Sequence, residues 1–234
     1  MIKVNQISNI QQVERLQKRI DIGGVCISKS NDIKAPYIDL NTAIRIKDTL
    51  PGLSLSVSFC ASDSYDVSEM SDILEVVKAE YFEFDPIDPI KKEQFNAQLK
   101  SFKELKIQKI ANSFFIMKED CSFIKDIDPL QKLSDIGVVL FQFEVNSAVD
   151  YNFMISKRDL ADAEMVFSQF PALVCDRIKQ TQNYPLRSVA GFYFNIKTPS
   201  KEEISNYSQL TWSESEIIRI LMKKGRASGT DRKY

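Results

Sequence analysis

Apolar and polar residues follow two rhythms along this chain, and the rhythms take turns. Ile2-Lys3-Val4-Asn5-Gln6-Ile7 opens with the period of two that marks a strand. Ser8 and Asn9 then stand where a helix needs an N-cap, ahead of Ile10, Val13, Leu16 and Ile20 at helical spacing. Gly23 to Ile27 predicts a second strand, and Asp39 caps a helix over residues 40–50 that Pro51-Gly52 stops. Leu53 to Phe59 again alternates with period two. The same reading predicts helices over Val67–Lys78, Lys91–Lys103, Phe123–Leu133 and residues 157–168. It predicts strands over Tyr81–Phe84, Ile107–Phe115, Ile136–Phe141, Ala172–Cys175 and Val189–Ile196. Ile136–Phe141 is short, β-branched and nearly all apolar, as suits a parallel strand buried on both faces. Ser200 is placed to cap a stretch from Lys201, and Ser213 a last helix through Met222.

Eight strands in 234 residues make units of about 29 residues, the size of one strand-helix repeat in a barrel. Their even spacing and the lack of a Gly-rich dinucleotide turn favour a closed barrel over an open doubly wound sheet. The expected fold is an α/β, single-domain (β/α)8 TIM barrel over residues 1–224, with residues 225–234 as a flexible tail.

Composition narrows the chemistry. Hydrophobic residues at 44% supply a large core, and 31 basic against 32 acidic residues leave a net charge of −1. That balance carries no signature of a nucleic-acid binder. Histidine is absent, which removes imidazole bases, His-based triads and His-ligated zinc. Cys26, Cys60, Cys121 and Cys175 form no CxxC pair and read as reduced thiols. No apolar run approaches the roughly 20 residues of a membrane span, and no signal-peptide pattern opens the chain. The expected setting is the cytoplasm, with no membrane and no nucleic acid as partner. Only seven glycines occur, too few to suggest the Gly-rich loops that cradle phosphates.

In a β/α barrel the chemistry sits at the C-terminal ends of the strands. Those ends carry Asn5 and Gln6, Ser28, Cys60 to Asp63, Glu83 and Asp85, Asn112 and Ser113, Gln142 and Glu144, Asp176 and Arg177, and Asn195 and Lys197. Acids, amides and two cations at one end suit a small polar or anionic ligand.

The opening Lys3-Val4-Asn5-Gln6-Ile7-Ser8-Asn9 resembles that of the phosphoribosylanthranilate isomerase family, where a strand reads Lys-(Ile/Val)-Cys-Gly. Ile20 to Ser28, then Pro36-Tyr37-Ile38 and Ala43-Ile44, are similar to that family's next segments. The likeness is clearest over residues 1–60 and continues as spacing to about residue 200. It implies a barrel performing an Amadori rearrangement of an aminoaldose phosphate in tryptophan biosynthesis. A Cys after the first strand would act as base and an Asp after the sixth as acid, with no cofactor and no metal.

Carried over residue by residue, the base position falls on Asn5 and the acid position on Gln142. The family's Gln-Leu-His-Gly falls on Tyr81-Phe82-Glu83-Phe84. Its phosphate turns fall on Asp176-Arg177 and on Asn195-Ile196-Lys197, so these would be the ligand-binding residues. Neither Asn nor Gln titrates near neutral pH, and losing one proton-transfer group typically removes a factor of 10² to 10⁴. The resemblance therefore implies an isomerase-like barrel that is catalytically degenerate or altered and binds a small phosphorylated or anionic metabolite, as a monomer or homodimer. The alternative is an active isomerase in which a two-residue register slip brings Glu144 to the acid position. A third reading is an unrelated barrel enzyme using Glu83, Asp85, Arg177 or Lys197 on another anionic metabolite. Cys175 as a base and a Glu83, Asp85 and Glu144 carboxylate cluster are further candidates. Trp212 reads as packing the last helix onto the barrel, with Tyr207 and Tyr234 nearby in sequence.

Overall fold

A computed structural model describes residues 1–30, 35–49, 52–116, 121–145, 156–176, 184–197 and 210–227. The strands are β1 (Ile2–Asn5), β2 (Ile22–Ile27), β3 (Tyr37–Ile38), β4 (Ser54–Phe59), β5 (Tyr81–Phe84), β6 (Gln108–Ile116), β7 (Val138–Val145), β8 (Ala172–Asp176), β9 (Gly191–Ile196) and β10 (Thr211–Trp212). The helices are α1 (Ile10–Leu16), α2 (Leu40–Thr49), α3 (Val67–Val77), α4 (Lys92–Lys103), α5 (Ser122–Lys125), α6 (Asp128–Asp135), α7 (Lys157–Gln169) and α8 (Glu214–Ala227). Helix starts follow the expected chemistry. Asn9 accepts the Gln12 N–H at 3.0 Å, and Asp39 accepts that of Thr42 at 2.6 Å. Ser213 and Glu216 cap α8 reciprocally, at 3.1 and 3.3 Å.

Among the described residues every strand pairing is parallel, in the order β1-β2-β4-β5-β6-β7-β8-β9. β1 then pairs with β9 through Ile2↔Phe192, Lys3↔Tyr193, Val4↔Phe194 and Asn5↔Asn195, so the sheet closes on itself. β3 lies beside β2, and β10 beside β9. The result is a single-domain (β/α)8 barrel, as the alternating rhythms predict. Among the described residues, no helix is long and apolar enough to cross a membrane.

Several elements differ from the sequence reading. β7 continues past Phe141 to Val145, because Phe143 and Val145 keep packing outward while Gln142 and Glu144 take inward positions. Polar residues on the inner face interrupt the apolar run without ending the strand. The helix expected over Phe123–Leu133 is two, because Pro129 restricts the residue before it and the chain restarts as α6. α1 stops at Leu16, so Ile20 packs from the turn that follows. β10 is a two-residue strand that the rhythm does not predict. It carries Trp212, which packs on Phe194 of β9 with ring centroids 5.6 Å apart and edge-on, in the same core cluster as Ile217 and Ile220 of α8. Pro51, Arg177, Ser200, Lys201, Tyr207 and Tyr234 lie outside the described residues.

The core has two shells. Outward residues such as Val4, Val57, Phe82, Phe141 and Phe143 are buried against the helices. Each side chain of this size stabilises the fold by roughly 1.5–3 kcal/mol when buried. The inner shell is different, and it contains the polar residues.

Candidate functional site

Side chains alternate across a strand, so Lys3 and Asn5 of β1 share one face, opposite Ile2 and Val4. That face is the inside of the barrel. Register partners share a face too, which brings Tyr193 and Asn195 in beside them. Gly24 of β2 also faces this point. A Cβ there would lie 2.6 Å from Asn5 Oδ1 and 3.2 Å from Lys3 Nζ, so glycine makes the room that the Lys3 head group fills.

The inward polar groups form one network. Lys3 Nζ donates to Glu83 Oε2 at 2.6 Å, to Gln142 Oε1 at 3.4 Å and to Asn5 Oδ1. Asn5 Nδ2 donates to Gln142 Oε1 at 2.9 Å and to Asn195 Oδ1 at 3.0 Å. Gln142 Nε2 donates to Glu83 Oε1 at 2.5 Å, and Ser56 Oγ to Glu83 Oε2 at 3.0 Å. All three ammonium protons, both carboxylate oxygens and both polar atoms of each central amide therefore have partners. Such a network holds one arrangement of the core, and breaking it strands a buried polar group. Lys3 and Gln142 are wholly buried, and Asn5, Glu83 and Asn195 nearly so.

Electrostatics follow from burial. Desolvation pulls the Lys3 ammonium below its ordinary pKa, and the adjacent Glu83 carboxylate pulls it back up. Burial pushes the Cys26 thiol up to about 12, against a hydrogen bond with Ser58. Burial also pushes the Tyr193 phenol well up, helped by the neighbouring Cys175 and Glu144. Thiol and phenol thus stay protonated at neutral pH, and neither acts as a ready base. At the rim, desolvation raises the Asp85 carboxyl, while a 2.8 Å hydrogen bond from Ser113 Oγ lowers it. Ser113 sits at a β6 irregularity with φ of 63°, a costly backbone for a residue with a Cβ.

The expected site residues separate into groups. Asn5 and Gln142, the base and acid positions of the resemblance, touch each other inside the network. Asn195 joins them, and its Nδ2 donates to Leu210 O at 3.0 Å. Glu144 lies one inward step beyond Gln142 and accepts the Leu210 N–H at 3.0 Å. Lys197 is exposed past the end of β9. Asp176 ends β8, but its side chain and all of Arg177 lie outside the described residues. Glu83 faces the centre, whereas Asp85 stays at the rim with Ser113, so the carboxylate cluster is not drawn together. Among the described residues no group of three or more acidic or thiol side chains is placed to hold a metal.

Lys3, Ser56 and Gly24 belong to the site and were not singled out by sequence reasoning. The signal for Lys3 was present: a lysine two residues before Asn5 in a strand apolar at every alternate position must share the inner face.

No protein-family model matches the chain, and no curated protein matches its sequence. Solved structures do match. The chain is similar to N-(5'-phosphoribosyl)anthranilate isomerase from Pyrococcus furiosus, at 16% identity and a TM-score of 0.56 over 95% of this chain and 98% of that one. It is similar to 3-dehydroquinate dehydratase from Aquifex aeolicus, at 14% identity and 0.53 over 97% and 99%. It is also similar to 3-hexulose-6-phosphate synthase from Salmonella typhimurium, at 12% identity and 0.50 over 95% and 98%. The fold is the TIM barrel. Three differently named enzymes share it with this chain at comparable similarity, so the barrel does not choose among their activities.

Proposed function

We propose that this chain is a barrel of the phosphoribosylanthranilate isomerase kind that has kept the scaffold and given up the Amadori rearrangement, and that its mouth binds a ligand instead. The supporting observation is the 2.9 Å contact between Asn5 Nδ2 and Gln142 Oε1. The two positions that would move protons in the resembling family hold amides, and each amide is spent on the other and on the Lys3–Glu83 pair. Rearrangement at C2 needs one group to give a proton and another to take one. A phosphate finds little here among the described residues. Asn195 Nδ2 already donates to Leu210 O, and the Glu144 carboxylate, which repels an anion, faces the same end. The proposal includes a cytoplasmic setting, where thiols such as the four free cysteines stay reduced.

A second reading keeps an active isomerase with Glu144 as its acid. Its support is that Glu144 shares the inner face of β7 with Gln142, one step nearer the mouth. A direct assay separates the two. Freshly made phosphoribosylanthranilate is incubated with a high concentration of the protein, and loss of substrate fluorescence is followed. No turnover above buffer is expected. Turnover that Glu144→Ala abolishes would establish the second reading and end the first.

A further inference from the structure

Glu144 and Asn195 both turn toward one residue of this same chain. Leu210 N–H donates to Glu144 Oε2 at 3.0 Å, and Asn195 Nδ2 donates to Leu210 O at 3.0 Å. β10 follows immediately, with Thr211 in register with Asn195 and Trp212 with Ile196. Lys197 N–H donates to Trp212 O at 2.8 Å, so the backbone donor past β9 is spent as well. Trp212 is 4% exposed and stands edge-on to Phe194. Pairing with β9 needs only backbone groups. The two interior side chains, at 6% and 4% exposure, add a carboxylate acceptor and an amide donor aimed at one residue's N–H and C=O. A donor and a carbonyl acceptor separated by one carbon is the backbone pattern of an α-amino acid or its amide.

We propose that Leu210 stands in for a ligand: residues 210–212 form a strap across the mouth, and the Glu144–Asn195 pair takes a small molecule with the α-amino-acid backbone pattern in its place. This rests on the reading of the mouth as a binding site. The carboxylate receives the ligand's N–H, a charge-assisted bond, and the Asn195 amide donates to its carbonyl. Strap and ligand compete, so the site is closed until enough ligand is present. A strap closed nine-tenths of the time weakens the apparent affinity about tenfold.

The test uses the full chain and N-acetyl-L-leucinamide as probe. Leu210→Pro removes the N–H that Glu144 receives and leaves the carbonyl in place. Trp212 is the one tryptophan in the sequence, so its emission reports the strap directly. In Leu210→Pro a red-shifted emission and stronger acrylamide quenching are expected, with the far-UV circular dichroism of the wild type. The probe is expected to raise the Tm of this variant saturably, to do so in the wild type only at roughly tenfold higher concentration, and to do nothing once Glu144→Ala is added. If Leu210→Pro fails to fold, the wild type decides: the probe is expected to raise its Tm saturably and to red-shift the Trp212 emission in the same titration. Trp212 equally shielded in folded Leu210→Pro, or no saturable probe response, overturns the proposal. Isomerase turnover by the wild type would overturn the earlier reading alone, because the probe titration is scored on Tm and emission.

Discussion

Lys3 carries a charge into the middle of the barrel, where three acceptors receive its protons and Glu83 balances it. Its side chain is 0% exposed and that of Glu83 7%, so water screens neither. Removing one partner of such a pair leaves an uncompensated buried charge and costs about 3–5 kcal/mol. Lys3→Met is expected to lose that much in urea unfolding followed by circular dichroism. Adding Glu83→Gln, which removes the stranded charge and still accepts from Ser56, should restore at least half. Asp85 gives a pH signature. Desolvation holds its folded-state pKa above the ordinary 3.8. A raised carboxyl stabilises the fold below the unfolded pKa, and that contribution is lost as pH rises through the folded value. Asp85 is itself exposed, so water screens most of this effect, and Asp85→Asn should raise Tm only slightly relative to wild type at about pH 7, with the gain fading by about pH 3.5. An unchanged difference across that range would show that the rim does not desolvate the group. Residues were the least legible scale in the sequence. Asn5 and Gln142 were found through a resemblance, but their contact was not, because whether two polar groups at strand ends meet depends on barrel register.

At the level of elements, period was a good guide wherever one face is apolar. The strands around Val4, Val57 and Phe82 were legible, and so were the caps at Asn9, Asp39 and Ser213. Legibility failed where the signal was too short or mixed. β3 and β10 have two residues each, below what a period of two can mark. β7 was cut short because Gln142 and Glu144 look like a loop in a list of residues and like an inner face in a barrel. The joint between β1 and β2 shows how tightly these elements fit. A Cβ on Gly24 would meet Asn5 Oδ1 at 2.6 Å and the Asn5 Cα at 3.2 Å. Gly24→Ala should cost about 1–3 kcal/mol by overpacking, read from the unfolding midpoint at constant m-value. A neutral result would mean that the Lys3 network yields more readily than its hydrogen bonds suggest.

For the whole molecule, closure is the event on which everything else rests. β1 sits between β2 and β9, so the pairings of Lys3 and Asn5 join the first strand-helix unit to the last. The fold was legible because it depends on the order and size of units, which hydrophobic rhythm records. The function was not, because the same barrel serves several chemistries and this chain has filled its centre with its own amides. The buried Lys3 amine has one more consequence. Acylating reagents reach exposed lysines at once, but they reach Lys3 only when the barrel comes apart. Its rate of chemical labelling, followed by peptide mass spectrometry, is thus a clock for opening of the barrel, built into its first strand.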